Sequence, residues 1–552
     1  MRIDIIKDII LKLSFVENLI SIQSENDNIK GKVSIKFEEL DTSLLFDFMI
    51  NKQYPLKSYD SETITFFNDE LIEYNHVMGN GSICIHTSHS INLEEKIKID
   101  FNSLKEWINK HYINKENDSR YEHILINEKT VDDKFYSYIF TDVNYKFSKG
   151  EFGDVNLSLL NQSSYKKRHN LNFIVNKFVT NNNYKIQSNW NSHYLNLKQT
   201  NKGFFIFIKE HPAKLKKFAF ENWIELNELL PNNFLSFLYE FERMSIQKHK
   251  NSLIPIFLGY EITSDEIHWQ VALLKIGEFP LKGYPVKINN KKTGTWESQL
   301  INKSINWGIS RNSSYKYFFG RGVLSDKITQ SKILIIGIGA IGSMVAKTLV
   351  KGGCKYIDVV DYDVKEPENV CRSEYLFSTG LTDKTDELMM MMITNSPFVE
   401  TNLINNRYFE NIKSFSNDET SKKKIAKSIN NYDIVFDCTT DDDLMYILNN
   451  IVIKSDIINL SITNHANELV GAFYPNQYNF ITKQFNEILN NDTSDLYEPT
   501  GCWSPTFKAS YNDINSLVQF ALKHINRIYK NGKMKNNFII NQDSNTIKIQ
   551  EF

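Results

Sequence analysis

The alternation of apolar and polar residues divides the chain into three regions, of which the first mixes helix and strand patterns. The opening segment, MRIDIIKDIILKLSF, has Asp and Lys residues at helical spacing, which predicts an amphipathic helix. Strand-like runs follow, and KIDFNSLKEWINKHY then places four apolar side chains on one helical face: Leu104, Trp107, Ile108 and Tyr112. Residues 1–118 are therefore predicted to form an α+β domain.

The middle and last regions show different patterns. Residues 119–300 are rich in aromatic, strand-like segments such as KFYSYIF, with helical pieces such as FENWIELNELL, and predict a mixed α/β middle domain of unassigned role. From residue 301 the order becomes β-α-β, with SKILIIGIG, SMVAKTLVKGG and YIDVVDYD. Residues 301–552 are therefore predicted to form an α/β, Rossmann-like domain.

Composition and charge limit the classes of function. The 552 residues are 41% hydrophobic and 13% aromatic, as expected for globular domains of ~100–200 residues each. The 64 Lys and Arg residues nearly balance 66 Asp and Glu residues, so the charge favours neither a nucleic acid nor a membrane as partner. The most apolar run, ILIIGIGAIGSMVA, is too short to span a membrane. We expect a cytoplasmic protein, and the frequent Asn, Ile and Lys residues are typical of an AT-rich bacterial genome.

The segment GIGAIG places three glycines, Gly337, Gly339 and Gly342, between a buried strand and a helix. Glycines at these positions allow a tight turn, and the N-terminus of the helix attracts phosphate. Asp361 ends the next strand, where a carboxylate that binds ribose is expected. Taken alone, these features predict a nicotinamide-dependent oxidoreductase.

The segment that follows the second strand changes this interpretation. DYDVKEPENVCRSEYLFSTGLTDK resembles the ThiF/MoeB-like adenylation domains of ubiquitin-activating enzymes, in which an Asp-x-Asp strand end leads to Asn-x-x-Arg and then to Lys. NSPFVETNLIN and YDIVFDCTTDDD continue the resemblance, which covers roughly residues 315–475. The matching positions are Asp361, Asp363, Asn369, Arg372 and Lys384.

The resemblance implies a site for ATP rather than for a nicotinamide. It assigns Asp361 to the ribose, and Arg372 and Lys384 to the phosphates. Adenylyl transfer needs such cations because its transition state carries extra negative charge, whereas hydride transfer does not. The remaining positions implied to bind the nucleotide are Gly337, Gly339, Gly342, Asp363 and Asn369.

Magnesium and a second subunit are also implied by the resemblance. The family's Asp-Cys-Thr-Asp-Asn places Thr440 at the usual metal position here, so Asp441 is the substitute ligand and Asp437 the alternative, because Mg²⁺ prefers anionic oxygen ligands. Arg321, in FFGRGVL, resembles the arginine that dimers of this family extend to the partner's nucleotide, with Arg311 as the alternative. A homodimer is therefore implied.

The five cysteines differ in their surroundings and include no Cys-x-x-Cys pair, which argues against a disulfide framework or a structural zinc site. Cys354 and Cys438 lie in apolar patterns and are interpreted as packing thiols. Cys502, in EPTGCWSPTF, lies within a loop expected at about 475–510, and the resemblance makes it the candidate thiol that accepts an acyl group. Cys371, directly before Arg372, stays open as an alternative.

The fifth cysteine, Cys84, lies in a second recognisable pattern. YPLKSYDSETITFFNDELIEYNHVMGNGSICIHT resembles the core of a ubiquitin-conjugating enzyme, with matches at Tyr54, Pro55, Asn80, Gly81, Ile83 and Cys84. His76 replaces the family's asparagine, and its imidazole is expected to donate a hydrogen bond to an oxyanion. His86 and His89 are expected either to deprotonate an amine or lower the pKa of Cys84, or to be part of a polar loop.

These resemblances predict an acyl relay. The C-terminal carboxylate of a protein partner is adenylated, passes to Cys502 as a thioester, passes on to Cys84 and is delivered to an amine of a target protein. Fusion of two such domains resembles proteins of bacterial anti-phage operons, including the CBASS type, in which the partner is either a ubiquitin-like protein or a cyclic-nucleotide synthase.

Three other interpretations stay open at the level of the sequence. The chain is alternatively a nucleotide-binding scaffold or sensor with structural cysteines, or a sulfur-carrier adenylyltransferase that does not use Cys84. A nicotinamide-dependent oxidoreductase is the third.

Overall fold

The computed structural model describes the chain except for residues 1, 60, 86, 117–129, 166–167, 209–211, 264–265, 289–290, 403, 405–417, 490–508 and 544–545. Cys502 and His86 lie outside the described residues. The chain divides into two compact units, Met1–Ser188 with Lys198–Ser314 and Asn189–Leu197 with Tyr315–Phe552. The second unit thus takes up the chain from Tyr315, whereas the hydrophobic pattern predicts its start at residue 301; the predicted boundary at residue 118 stays a prediction.

The N-terminal part of the first unit is an antiparallel sheet that shares one hydrophobic core with two helices. The helices are Arg2–Leu11 and Leu93–Trp107, the latter followed by a π-helical turn at Ile108–Ile113. Along β3, buried Phe46, Phe48 and Ile50 alternate with more exposed residues, so one sheet face packs into the core with the helices. The order of helix, strands and helix agrees with the hydrophobic pattern. The strands are paired in the order β1 (Val16–Glu25), β2 (Asn28–Ile35), β3 (Leu44–Ile50) and β4 (Ile64–Phe67).

The rest of the first unit is predominantly β, rather than an alternation of strands and helices. An 8-stranded sheet closes on itself because β5 pairs with both β14 and β7, and aromatic rings fill its interior. The helix Asn232–His249 and the hairpin of β12 (Leu281–Ile288) with β13 (Lys291–Leu300) are packed together. The strands of the sheet are β5 (Lys134–Phe140), β6 (Phe152–Tyr165), β7 (Arg168–Thr180), β8 (Lys185–Gln187), β9 (Gln199–Phe207), β10 (Leu253–Thr263), β11 (Glu266–Lys275) and β14 (Asn306–Asn312).

The second unit confirms the predicted Rossmann-like α/β fold. Its sheet has the order β16-β15-β17-β18-β19-β20-β21, parallel from β16 to β18 and antiparallel beyond. The strands are β15 (Lys332–Ile336), β16 (Tyr356–Val360), β17 (Ile434–Asp437), β18 (Asp456–Thr463), β19 (Glu468–Phe473), β20 (Phe538–Gln542) and β21 (Ile547–Glu551).

Helices cover both faces of this sheet. Ile333 and Ile335 of β15 pack into one hydrophobic cluster, and Leu334 and Ile336 pack into another, as expected for a strand buried on both sides. Among the described helices, none combines the length and apolarity needed to cross a bilayer. The longer helices are Ala340–Lys351, Lys384–Asn395, Glu419–Ile429, Asp442–Asn449, Gln477–Leu489 and Tyr511–Asn531.

Candidate active site

The three glycines form the turn from β15 into the helix Ala340–Lys351, at the point where the strand order reverses. Gly337 has φ +76°, and a Cβ there would lie 2.7 Å from Thr439 Cγ2, beyond the end of β17. A Cβ at Gly342 would lie 2.0 Å from Gly337 O, so the helix packs against the turn only without a side chain. A Cβ at Gly339 would meet no atom within 4 Å. Open space at the helix N-terminus is what an approaching phosphate requires.

Asp361 ties this turn to the end of β16. Its Oδ2 accepts a hydrogen bond from Ile338 N at 2.8 Å and its Oδ1 accepts one from Asp363 N at 2.9 Å. Burial raises the pKa of Asp361 above its ordinary value, against these hydrogen bonds. Tyr375 OH donates to Ile338 O at 2.5 Å. The carboxylate assigned to the ribose therefore lies directly beside the glycine turn.

Lys384 and Asp363 are brought together although 20 residues separate them in the sequence. Lys384 Nζ donates to Asp363 Oδ2 at 2.8 Å, and Lys384 N donates to Asp363 O at 3.2 Å. The Lys384 side chain is only 9% exposed, whereas that of Asp363 is 52% exposed. The ammonium group of Lys384 is therefore held at a defined position beside the second aspartate of the Asp-x-Asp segment.

Asn369 and Arg372 lie on the short helix Pro367–Val370 and on the turn that follows it. Asn369 Oδ1 accepts a hydrogen bond from Glu366 N at 2.9 Å, and Asn369 O accepts one from Ser373 Oγ at 2.5 Å. The Asn369 side chain thus forms part of a capping box at the start of this helix. Arg372 is half-buried. The side-chain amide of Asn369, which the resemblance assigns to the nucleotide, therefore stabilises the segment that carries Arg372.

The sequence analysis did not predict a buried ion pair between Lys365, which follows β16, and Glu387, in the helix Lys384–Asn395. Lys365 Nζ lies 2.5 Å from Glu387 Oε2, with side chains 2% and 6% exposed, and also donates to Leu376 O at 2.7 Å. Glu387 Oε1 accepts from Leu376 N at 2.5 Å. Burial opposes ionisation of Glu387, but the hydrogen bonds from Leu376 and Lys365 outweigh it and lower the pKa of this carboxyl group. A Lys and a Glu three residues apart would have suggested an ion pair from the sequence. Lys365 and Glu387 lie 22 positions apart, so no sequence pattern indicates their contact.

The predicted metal carboxylates differ in their accessibility. Asp437 is fully buried; its Oδ1 accepts hydrogen bonds from Thr439, and its Oδ2 accepts one from Asn459 Nδ2 at 2.8 Å. Asp441 is half-buried and caps the helix Asp442–Asn449, since its Oδ1 accepts from Leu444 N at 3.2 Å. Thr440, between them, has φ +56°.

These carboxylates have the chemistry that magnesium requires. Burial raises the pKa of Asp437, and the charge of Asp441 raises it further, so the two groups repel each other in their ionised forms. A divalent cation would relieve this repulsion. In the described part of the chain no group of three or more His, Cys, Asp or Glu side chains is arranged to hold a metal. Mg²⁺ is commonly held by one or two carboxylates together with substrate phosphates, so the donor set fits.

The cysteines of the second unit fall into two classes. Cys354 and Cys438 are buried, as predicted for packing thiols, and burial raises the pKa of both. Cys371 is exposed, and its Sγ lies 3.3 Å from Glu368 O. Cys502 lies outside the described residues. At the start of the helix that follows, Tyr511 OH donates to Glu374 Oε1 at 2.5 Å.

Cys84 of the first unit follows a tightly bonded turn. Cys84 N donates to His76 O at 2.7 Å, and Ile83 N donates to Phe66 O of β4 at 2.8 Å. Gly81 has φ +77°, and a Cβ there would lie 2.7 Å from Asp69 N. The thiol-bearing residue is half-buried. The backbone that enters Cys84 is therefore fixed on both sides of the turn.

The other residues predicted to lie near Cys84 differ in their exposure and in their contacts. His76 is 9% exposed, and its ring centroid lies 4.8 Å from that of His111, a residue that the sequence pattern did not indicate. His89 is exposed. Asn80 Oδ1 accepts from Ser82 N at 3.1 Å and stabilises the turn. Tyr54 is buried, and its OH donates to Asp100 Oδ2 at 2.8 Å.

The two candidate arginines lie in different units. Arg321 is exposed in the second unit, in a turn closed by the hydrogen bond from Gly322 N to Phe319 O at 3.0 Å. Arg311 belongs to β14 of the first unit, and its Nη1 donates to Ser310 O at 2.8 Å. The homodimer stays a prediction.

Comparison with known proteins gives a family match and several similar proteins. Residues 310–474 match the ThiF family. The ATP-dependent ubiquitin transferase-like protein Cap2 of Enterobacter hormaechei subsp. hoffmannii (strain UCI 50) is 26% identical over 275 residues, which cover 48% of this chain and 44% of that protein. The adenylyltransferase and sulfurtransferase MOCS3 of Drosophila willistoni is 27% identical over 165 residues, covering 29% of this chain and 32% of that protein.

Solved structures match at a lower level. The crystal structure of E. coli MccB with ATP is 17% identical, has a TM-score of 0.28, and is matched over 41% of this chain and 64% of that chain. This chain spans less than half the length of the two curated relatives. The residues that match the ThiF family include the glycine turn after β15.

Proposed function

We propose that the protein uses ATP to adenylate the C-terminal carboxylate of a protein or peptide partner. The observation that carries this proposal is the ThiF family domain, in which the open glycine turn, Asp361 and the Lys384–Asp363 pair lie at the carboxyl ends of β15 and β16. The name of the relative Cap2 describes an ATP-dependent, transferase-like protein, which supports the same chemistry.

In the proposed reaction a partner carboxylate oxygen attacks the α-phosphorus of ATP. The bond from this phosphorus to the bridging oxygen breaks, and pyrophosphate leaves with that oxygen. Lys384 and Arg372 are proposed to offset the negative charge that accumulates on the phosphoryl oxygens. Asp441, the more accessible carboxylate, would hold Mg²⁺ with Asp437 as a supporting group, and the metal would add charge stabilisation at the phosphates. Asp361 is proposed to bind the ribose.

Two thiols are proposed to carry the acyl group onward. The thiolate of Cys502 attacks the acyl carbon and releases AMP, and the thiolate of Cys84 then attacks the thioester and releases Cys502. A target amine finally attacks the Cys84 thioester, loses a proton and forms an amide as the Cys84 thiolate leaves. The conjugating-enzyme resemblance of residues 1–118 and the fixed turn before Cys84 support this role.

The biological setting follows from the same resemblance. We propose a bacterial, cytoplasmic homodimer that acts in anti-phage defence of the CBASS or a related type. The partner would be a ubiquitin-like protein or a cyclic-nucleotide synthase, and the acceptor an amine of a target protein.

A second candidate function is favoured by one observation. The relative MOCS3 is named an adenylyltransferase and sulfurtransferase, so activation of a sulfur carrier is the alternative. That function would require adenylation but would not require Cys84.

The test is a trapping experiment on the full-length chain, co-expressed with the product of its neighbouring gene as candidate partner. The variants are Cys84→Lys, Cys502→Ala and both together, and the readout is the intact mass. We expect an ATP-dependent amide adduct in Cys84→Lys that is absent from the double variant. An adduct that survives loss of Cys502 would show direct transfer from the adenylate. If partner-dependent ATP–pyrophosphate exchange proceeds but no variant forms an adduct, the sulfur-carrier alternative is favoured; without exchange, adenylation itself is contradicted.

A further inference from the structure

A buried ion pair lies in the first unit, in contact with the segment that follows Cys84. Lys96 and Asp100 are one turn apart on the helix Leu93–Trp107, and Lys96 Nζ lies 2.5 Å from Asp100 Oδ1. Their side chains are 2% and 0% exposed. Removing two charges from water is unfavourable, so such a pair persists where further hydrogen bonds satisfy both groups.

Those further hydrogen bonds come from three residues outside the helix: Tyr54, Glu62 and Thr87. Tyr54 OH donates to Asp100 Oδ2 at 2.8 Å, and Lys96 Nζ donates to Glu62 Oε2 at 3.2 Å. Thr87 supplies the third connection: its hydroxyl donates to Asp100 Oδ1 and accepts from Lys96 Nζ at 2.9 Å. Thr87 therefore contacts both members of the pair at once.

Thr87 lies three residues after Cys84, in a part of the chain without regular structure. The described residues between Cys84 and Leu93 form neither strand nor helix, whereas the backbone before Cys84 is bonded to Phe66 and His76. The segment between Cys84 and Leu93, the exit segment, is held instead by side chains. Ser90 Oγ donates to Glu95 Oε2 at 2.7 Å and forms a second anchor. The Thr87 anchor therefore fixes the chain three residues beyond Cys84, in addition to the backbone hydrogen bonds before it.

We propose that Lys96 and Asp100 are positioning residues for Cys84, acting through the Thr87 hydroxyl. The buried pair holds the exit segment, so that the thiol keeps one direction relative to the incoming carbonyl carbon. Acyl transfer depends on such a near-attack geometry, in which a misplacement of about 1 Å costs as much as about 100-fold in rate. This inference rests on the proposed function of Cys84.

The test compares Thr87→Val, which keeps the shape of the side chain but loses the hydroxyl, with Thr87→Ser, which keeps the hydroxyl. Both leave the ion pair in place. In Thr87→Val we expect transfer from the Cys84 thioester to an amine to fall by about tenfold or more. Alkylation of Cys84 by iodoacetamide should rise by about threefold relative to the exposed Cys371, because the half-buried thiol is released. Thr87→Ser should restore both rates.

Hydrogen exchange separates positioning from general unfolding. Exchange of residues 84–92 should rise in Thr87→Val, while exchange of the helix Leu93–Trp107 stays that of the wild type. Unchanged exchange and alkylation in Thr87→Val would overturn the inference, as would a Thr87→Ser variant that behaves like Thr87→Val. If wild-type Cys84 never receives an acyl group, the proposed function fails, while alkylation and exchange still decide whether Thr87 positions the thiol.

Discussion

At the scale of single residues, three glycines of one motif serve three physical purposes. Gly337 adopts a positive φ and has no room for a Cβ beside Thr439, Gly342 allows the helix to approach Gly337 O, and Gly339 borders open space. The sequence motif treats these positions alike. Only the contacts around each one distinguish a glycine needed for folding from one needed for a ligand.

Alanine substitutions test this distinction. Gly342→Ala places a Cβ 2.0 Å from a backbone oxygen, so we expect a loss of about 1–3 kcal/mol in the free energy of unfolding. Gly339→Ala meets no atom within 4 Å and should lose less stability than Gly342→Ala, yet weaken ATP binding because the methyl group occupies the open space. Denaturant unfolding and nucleotide titration measure the two effects. Equal stabilities of the two variants would contradict the assignment.

Lys384 allows a second residue-scale prediction. Its ammonium group is nearly buried beside Asp363, and removing one stabilising group of a transition state costs about 100-fold to 1000-fold in rate. We expect Lys384→Ala to slow ATP–pyrophosphate exchange by that order. Lys351→Ala, at the exposed C-terminal end of the helix Ala340–Lys351, is the control and should exchange at the wild-type rate. An equal loss in both variants would refute a specific role for Lys384.

At the scale of elements, the crossover between β16 and the helix Lys384–Asn395 is organised by Lys365 and Glu387. Hydrogen bonds link this pair to Leu376 and Thr379, which lie between Arg372 and Lys384 in the chain. The two proposed phosphate-binding residues are therefore attached to one internally bonded segment. A segment of this kind keeps both cations in register without being a helix or a strand itself.

The pair predicts a pH-dependent contribution to stability. The pKa of Glu387 is below its ordinary value of 4.5 in the folded chain, so the carboxylate stabilises the fold above about 4.5 and loses this effect as the pH falls through the folded pKa. Glu387→Gln leaves the Lys365 charge buried and unpaired, which should cost about 3–5 kcal/mol at neutral pH. The difference from the wild type should shrink as the pH falls below about 4.5 and through the lower pKa of the folded state.

Hydrogen exchange of residues 365–387 at each pH measures this contribution locally. The matched control replaces both partners by apolar residues, Lys365→Met with Glu387→Leu. It loses the hydrogen bonds to Leu376, but its stability relative to the wild type should not carry the cost of an unpaired buried charge. A constant difference between Glu387→Gln and the wild type at all pH values would show that ionisation of Glu387 is not the cause.

At the scale of the whole molecule, chain order does not follow the compact units. Asn189–Leu197 lies between β8 and β9 of the first unit in sequence but belongs to the second unit by its contacts. Asn191 Nδ2 donates to Val399 O at 3.1 Å, and Asn191 N donates to Pro397 O at 2.7 Å. Ser192 N donates to Glu400 Oε1 at 2.7 Å. The second unit is thus completed by a segment from the middle of the chain.

Asn191→Ala tests this completion in the full-length protein. Loss of the buried amide leaves backbone carbonyls without their donor, so we expect a cost of about 1–3 kcal/mol and faster exchange at residues 393–400. Lys198→Ala, an exposed position directly after the segment, serves as the control. Unchanged exchange in Asn191→Ala would show that the segment does not stabilise the second unit.

Hydrophobic periodicity and motif spacing were enough to predict the α/β class of the C-terminal region, the glycine turn and the order of its polar positions. These are local properties, since hydrophobic periodicity and turn chemistry act over a few neighbouring residues. The closed sheet of the middle region was not predicted, because β5 pairs with strands far away in the sequence. The functions of Cys84 and Cys502 stay predictions.

Which polar side chains contact each other depends on the folded structure. Lys384 with Asp363, Lys365 with Glu387, and Thr87 with the Lys96–Asp100 pair are contacts between separate segments. Burial decides their strength as well, because a charge away from water needs a partner and a charge in water does not. A linear pattern carries neither the distance between such groups nor their exposure, and for that reason these pairs become visible only in the fold.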